Sequence, residues 1–185
     1  MQKSQKKNQI IEAAYHLFKA RGFYATGVDL IMQVAHVSKR TLYKYFPTKN
    51  ELIVAVLVFY RSTYSDHLNQ IVTQNDKTSR EKMLMIFDDA KHWFEDENFH
   101  GCLAVNAMGE FSGKDKAIED ACSEFKRWEF DMLHTLTKDI APKQSEILAY
   151  KLFVLLEGMS SIAQVNHGKF PLDMTAMAED IINSH

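Results

Sequence analysis

Glycine and proline are scarce in this chain. Seven Gly and three Pro occur in 185 residues, where usual frequencies of about 7% and 5% would give roughly 13 and 9. Because these residues interrupt helices, their scarcity predicts long, uninterrupted helices. Hydrophobic residues make up 46% of the chain, a fraction that suits a globular core and argues against a disordered protein.

Cysteine and long apolar runs are also lacking. The two cysteines, Cys102 and Cys122, offer no disulfide framework, and no spacing typical of a metal site or a phosphate-binding loop occurs. No apolar run approaches the ~18 residues of a membrane span, and the polar N-terminus does not resemble a signal peptide. We therefore expect a soluble, cytoplasmic protein without a metal or cofactor.

The charge is distributed unevenly, although the whole chain carries only −2. Residues 1–50 contain nine basic and two acidic side chains, a net +7, and the remaining 135 residues carry −9. A basic segment favours polyanions such as nucleic acid or an anionic membrane surface. An exposed lysine-rich surface that binds nothing is the alternative that charge alone leaves open.

Local patterns in the basic segment predict three helices. Apolar side chains between residues 10 and 18 repeat with helical spacing, which predicts a helix from Asn8 to Arg21, and Gly22 follows as its C-terminal stop. Thr26 with Asp29 resembles a capping box for a second helix, and Ser38 is a good N-cap for a third. The second and third helices are short and are joined by a turn of three or four residues, which is typical of a helix-turn-helix motif.

The third helix has two different faces. Val37, Leu42 and Phe46 are placed to pack inward, and the opposite face is basic. That outward face, here named the recognition face, consists of Lys39, Arg40, Tyr43 and Lys44. A helix fits the major groove of DNA, where cations meet phosphates and an arginine binds guanine O6 and N7. A solvated face on an ordinary helical bundle is the alternative, and charge with spacing favours DNA.

The same residues carry a family resemblance. The stretch TGVD (residues 26–29) and the block TLYKYFPTKNELI (residues 41–53) resemble the DNA-binding domain of the TetR family of transcriptional regulators, over roughly residues 8–57. His36 stands where many members have glycine. The resemblance implies that Arg40 contacts a base and Tyr43 a phosphate. The full set of residues that it implies in DNA binding is Thr26, Ser38, Lys39, Arg40, Thr41, Tyr43, Lys44 and Lys49. A flexible N-terminal arm of Lys3, Lys6 and Lys7 would accompany them.

Helical patterns continue to the C-terminus. Thr78 with Glu81 forms a capping box, Pro142 suits a first helical turn, and residues 147–165 are apolar nearly all round, which predicts burial on several sides. Family members generally dimerise through their final pair of helices. The resemblance therefore implies a homodimer interface of Leu152, Leu155, Leu156, Met159, Ile162, Met174, Met177 and Ile181. A purely intramolecular core is the alternative.

The segment from Phe99 to Phe111 resembles one TetR subgroup. In that subgroup a Gly-Cys pair precedes an Asn and a Glu that are spaced like Asn106 and Glu110. These two residues lie four apart, on one helix face, and are suited to orient a ligand in an apolar pocket. The predicted ligand site consists of Phe87, Cys102, Asn106, Glu110 and Trp128. Bracing of a neighbouring helix by Asn106 or Glu110 remains the alternative, and burial is the favoured explanation for both thiols.

The sequence thus predicts an all-α, non-enzymatic regulator. A helix-turn-helix DNA-binding domain in residues 1–50 would be joined by a long helix, Thr48 to Gln74, to a helical effector-binding and dimerisation domain in residues 51–185. A homodimeric repressor, released from a near-palindromic double-stranded DNA operator by a small molecule, is the expected function. Two alternatives remain: a helical enzyme or thiol-based electrophile sensor that uses Cys102, and an adaptor that binds a protein through its last two helices.

Overall fold

The structure, a computed structural model, describes residues 2–168 and 172–185, with side chains from Gln5 onward. Within these residues every regular element is an α-helix, which confirms the predicted fold class. The helices, in chain order, are α1 (Gln2–Arg21), α2 (Val28–Val34), α3 (Lys39–Tyr45), α4 (Lys49–Val72), α5 (Ser79–Glu95), α6 (Leu103–Phe111), α7 (Lys116–Ile140), α8 (Ser145–Asn166) and α9 (Met174–Asn183). None of the described helices is long and apolar enough to cross a membrane.

The chain forms two compact units. The first unit contains Met1–Thr63 and Leu103–Phe125, and the second contains Tyr64–Cys102 and Lys126–His185. The first unit therefore combines the helix-turn-helix with α6 and the start of α7. The predicted division at residue 50 concerns function and stays a prediction.

Helix α1 begins earlier than the sequence pattern predicted and ends where it predicted. Lys6 and Lys7 lie within the helix, so the expected flexible arm is wrong for them, while the Lys3 side chain lies outside the described residues. At the C-terminal end, Gly22 has a φ of 82°, and its N–H donates to the carbonyl of Phe18 at 2.9 Å. Glycine enters this left-handed conformation without steric cost.

The two caps predicted for the helix-turn-helix have different outcomes. The Ser38 hydroxyl accepts the N–H of Thr41, so Ser38 is the N-cap of α3 as expected. The capping box at Thr26 is wrong, because Gly27 is the N-cap of α2. The Thr26 hydroxyl is buried and donates instead to the carbonyl of Gly22 at 2.7 Å. Thr26 therefore stabilises the end of α1.

In the second unit, α5, α8 and α9 surround an apolar core that includes Phe87 and Leu152. Thr78 and Glu81 form the predicted capping box at the start of α5. Pro142 precedes α8 rather than lying in its first turn. The expectation that α8 is buried on several sides stays a prediction, because within this chain one of its faces is exposed. We name this face the α8 stripe, and it consists of Ile147, Tyr150, Val154 and Val165.

The turn between α2 and α3 contains a backbone conformation that L-residues rarely adopt. His36 has a φ of 50°, within the left-handed region that disfavours β-branched side chains. We expect His36→Val to lower the free energy of unfolding by about 1–2 kcal/mol and His36→Gly to change it by less than about 1 kcal/mol. Urea unfolding followed by circular dichroism measures both. His16→Val, the same change within helix α1, is the matched control, and an equal loss in both valine variants would contradict the prediction.

Candidate nucleic-acid interface and effector region

The recognition face is exposed along α3. Lys39, Arg40, Tyr43 and Lys44 are exposed, whereas Leu42 and Phe46 on the opposite side are buried. The seven-residue helix therefore presents three cations and a phenol outward, as its sequence predicted. Thr41 is half-buried, and its hydroxyl lies 2.9 Å from that of Ser38 at the helix N-terminus.

Lys49, predicted to bind a phosphate, has a partner within its own unit. Its ammonium donates to the carbonyl of Phe23 at 2.6 Å. Burial lowers the pKa of Lys49, and the negative charge of Glu110 partly offsets that effect. The structure thus directs this side chain onto the turn between α1 and α2. The side chain of Thr26 is also directed inward and is buried, and its predicted DNA contact stays a prediction.

The carboxylate of Glu110 holds the same turn. One of its oxygens accepts the backbone N–H of Phe23 at 2.9 Å, and the other accepts that of Tyr24 at 2.7 Å. We name this pair of bonds the Glu110 clasp. These contacts correct the predicted role of Glu110 in a ligand site. The other alternative, that Glu110 braces a neighbouring segment, is what the structure shows.

Aromatic and polar contacts surround the Glu110 clasp. The ring of Tyr24 stacks on Phe111, the last residue of α6, with 4.9 Å between centroids. Lys114 donates to the carbonyl of Glu110 at 2.8 Å and lies 5.3 Å from the centre of the Tyr24 ring. Nearby, the Asn50 amide donates to Asp115 at 2.7 Å. The start of α4 and the segment after α6 are therefore fastened together within the first unit.

A group of charged side chains lies within the second unit. The ammonium of Lys126 donates to Glu129 at 2.8 Å and to Glu157 at 2.6 Å, and Glu129 is only 4% exposed. We name these three residues the charged cluster. Burial raises the pKa of Glu129 to about 7; the charge of Lys126 opposes this rise and that of Glu157 adds to it. Burial lowers the pKa of Lys126, but negative charges at Cys102, Glu129 and Glu157 outweigh it and raise that pKa.

Sequence reasoning missed the charged cluster. Its residues are up to 31 positions apart, so helical spacing reveals only the Lys126–Glu129 pair. One available signal was the position of Glu157 between Leu156 and Gly158, within the otherwise apolar stretch from Leu152 to Met159.

The remaining predicted ligand residues are divided between the units. Phe87 is fully buried in the core of the second unit, where Trp128 also packs. Cys102 belongs to that unit and is 7% exposed, and Cys122 is likewise buried, as expected for both thiols. Asn106 is a half-buried residue of α6 in the first unit.

Half of the predicted dimer residues are unavailable to a second copy. Leu152, Leu156, Met159 and Met174 are at most 5% exposed and belong to the core of the second unit. Their assignment to a dimer interface is corrected, because they pack within their own chain. The other four predicted residues are partly or fully exposed, namely Leu155, Ile162, Met177 and Ile181.

Comparisons with known proteins agree with this arrangement. Residues 10–56 match the family model of the bacterial regulatory proteins of the tetR family. YxaF of Bacillus subtilis (strain 168), an HTH-type transcriptional regulator, is 24% identical over 173 residues, which cover 92% of this chain and 91% of YxaF. The chain is a TetR-family transcriptional regulator.

Two further relatives extend the comparison of this TetR-family regulator. The transcriptional repressor NemR of Escherichia coli (strain K12) is 22% identical over 178 residues, which cover 90% of this chain and 88% of NemR. The structure of its reduced form matches with a TM-score of 0.82 over 97% and 96% of the two chains. CifR, solved with 26-bp double-stranded operator DNA, matches with a TM-score of 0.78 and 19% identity over 95% and 94%. These structures share the regulator's fold.

The Glu110 clasp yields a stability prediction for this TetR-family regulator. Glu110→Gln keeps the side-chain size but loses the charge and one of the two acceptor oxygens. We expect the free energy of unfolding to fall by about 1–2 kcal/mol, and the amides of Phe23 and Tyr24 to exchange hydrogen faster. Urea unfolding and hydrogen exchange measure the two effects. Glu12→Gln, at an exposed position of α1, is the control, and unchanged exchange at Phe23 and Tyr24 would contradict the role of the clasp.

Proposed function

We propose that the regulator binds a near-palindromic operator as a homodimer and represses transcription until a small molecule releases it. The observation that carries this proposal is the recognition face, where three cations and Tyr43 project from a helix that Ser38 caps. CifR, which shares the fold, is seen with operator DNA, and NemR is named as a repressor. Two such faces about 34 Å apart, or a multiple of that spacing, would match two half-sites of a palindrome.

Arg40 is the proposed base-reading residue. Incubation of the protein with sheared genomic DNA of its host, followed by sequencing of the retained fragments, should enrich a few near-palindromic sites. We expect Arg40→Ala to weaken binding to the enriched site by about 1–3 kcal/mol and to relax selection at one base pair.

Lys39→Ala is the matched variant for that measurement. Removal of a phosphate contact should weaken binding to all sequences alike. It should also make the slope of log K, the binding constant, against log salt concentration shallower by about one. Retention without any enriched site, lost uniformly as salt rises, would contradict operator recognition.

The α8 stripe is the proposed dimer face. Ile147, Tyr150 and Val154 are each more than half exposed, and Val165 is 75% exposed. Gly158 lies between Val154 and Val165, and a Cβ added there would have no neighbour within 4 Å. A helix with an apolar row and a small residue at its middle is suited to pack closely against a second helix. This face replaces the buried half of the interface that the sequence predicted.

Val154 tests the dimer face. We expect Val154→Glu to raise the dimer dissociation constant at least about 100-fold, because it would bury an unpaired carboxylate. Sedimentation equilibrium measures the change, and circular dichroism checks the fold. Val58→Glu places the same charge at an exposed position of α4 and should leave the dimer intact. A monomeric wild-type protein would instead favour the adaptor alternative.

Release by an effector is proposed to act through the Glu110 clasp. A ligand shifts an equilibrium only by its differential affinity for the two states. The clasp holds the turn that precedes α2, so a displacement of α6 would change the support of the helix-turn-helix. The contacts of Phe23, Tyr24 and Lys49 support this route. This route is proposed in addition to α4, the long helix that the sequence predicted to join the DNA-binding domain to the effector-binding domain.

A further inference from the structure

The second unit contains a partly enclosed cavity of about 270 Å³ at the C-terminal end of α5. We name it the α5 cavity. Its floor consists of four apolar side chains that are each at most 5% exposed, namely Phe94 of α5, Met159 and Ala163 of α8, and Met174 of α9. Ligand pockets in proteins commonly measure about 300–1,000 Å³ and are mainly apolar. The α5 cavity is therefore suited to one small molecule with an apolar part.

Charged side chains of both signs line the same cavity. Lys91 and Glu95 lie four residues apart on α5, and Asp173 is the N-cap of α9. Within the described part of the chain, the side chains of Lys91 and Glu95 form no hydrogen bond or ion pair, whereas one oxygen of Asp173 accepts the N–H groups of Thr175 and Ala176. Lys91 is half-buried, and burying a charge without a partner is unfavourable. A ligand that supplies a partner would relieve this cost.

The arrangement of these charges restricts the class of ligand. An anion would be attracted by Lys91 but repelled by the carboxylates of Glu95 and Asp173, and a cation would leave Lys91 without a partner. A molecule that carries both charges satisfies both signs. Side chains four residues apart are neighbours on one helix face, with about 5–6 Å between Cβ atoms, so the two ligand charges should also be close together. An α-amino acid, whose ammonium and carboxylate share one carbon atom, has this property.

The end of α5 adds a second preference for the ammonium group. Glu95 is the last residue of this helix of 17 residues. The C-terminal carbonyls of a helix carry a partial negative charge, which favours a positive group nearby. The positive end of the ligand is therefore expected at Glu95 and its negative end at Lys91, one helical turn earlier.

We propose that the α5 cavity binds a free α-amino acid with an apolar side chain. The ligand carboxylate pairs with the ammonium of Lys91, the ligand ammonium lies against Glu95 and the end of α5, and the apolar side chain packs on the floor of the cavity. The identification of this amino acid as the effector rests on the proposed function.

Calorimetry with matched probes tests the ligand class on the wild-type protein. The probes are L-leucine, L-methionine and L-phenylalanine, each compared with the analogue that lacks only the ammonium group and the analogue that lacks only the carboxylate. For phenylalanine these are 3-phenylpropanoate and 2-phenylethylamine. We expect at least one amino acid to bind at least about tenfold more tightly than both of its analogues, because each analogue loses one charge-assisted contact. Absence of binding by all three amino acids, or equal binding by an analogue, would overturn the proposal.

Variants of α5 test the location of the site. We expect Lys91→Gln to weaken binding of that amino acid at least about tenfold, and Glu95→Gln, at a more exposed position, at least about threefold. Lys82→Gln is the matched control, because Lys82 is a half-buried lysine of the same helix and is not among the described residues that line the cavity. Circular dichroism checks the fold of each variant. Unchanged binding by folded Lys91→Gln would overturn the proposal, and the probe comparison on the wild-type protein remains decisive if that variant fails to fold.

The DNA-retention experiment separates this inference from the proposed function. Operator enrichment without amino-acid binding would reject the ligand class and leave the regulator's DNA recognition standing. Amino-acid binding without an enriched operator would do the reverse. With both present, the amino acid should lower operator retention by the wild-type protein, and Lys91→Gln should keep its operator at the same amino-acid concentration.

Discussion

The attachment of α6 to the turn after α1 is the contact on which the DNA-binding part depends most. Gly22 ends α1 in a left-handed conformation, and the next two N–H groups, of Phe23 and Tyr24, have no helix to receive them. The N–H of Phe23 is partly buried, and a buried donor must find an acceptor. Glu110 supplies both oxygens from a position 87 residues along the chain. The helix-turn-helix is therefore held by a residue outside its own sequence.

Local signals account for the parts of the fold that the sequence predicted well. The caps at Ser38 and Thr78 depend on groups within three residues, and these formed as expected. The start of α1 was missed because the polar residues before Asn8 show no apolar periodicity. Thr26 was misassigned because its hydroxyl had two possible partners, and it bonds the preceding helix rather than capping the next. The competing contact, and not the residue type, decided the outcome.

The candidate sites show the same division between local and distant information. The recognition face follows from seven consecutive residues, because Leu42 and Phe46 fix which side of α3 is buried. Helix α8 is apolar on most sides, so its sequence does not distinguish the buried Leu152 from the exposed Val154. That distinction is made by α5 and α9, which cover only one face. The partners of Glu110 were unpredictable for a similar reason, since nothing near residue 110 indicates the turn at residue 23.

The order of residues along the chain links the two features that the sequence could not assemble. Negative charge at Cys102 raises the pKa of Lys126 in the second unit, and the residue after Cys102 begins α6. This helix is nine residues long and ends at Phe111, next to Glu110. Glu110 lies in the last turn of this helix, and its two oxygens accept the N–H groups of Phe23 and Tyr24. The support of the turn before α2 therefore depends on how α6 packs within the first unit, and not on the residues of the turn alone.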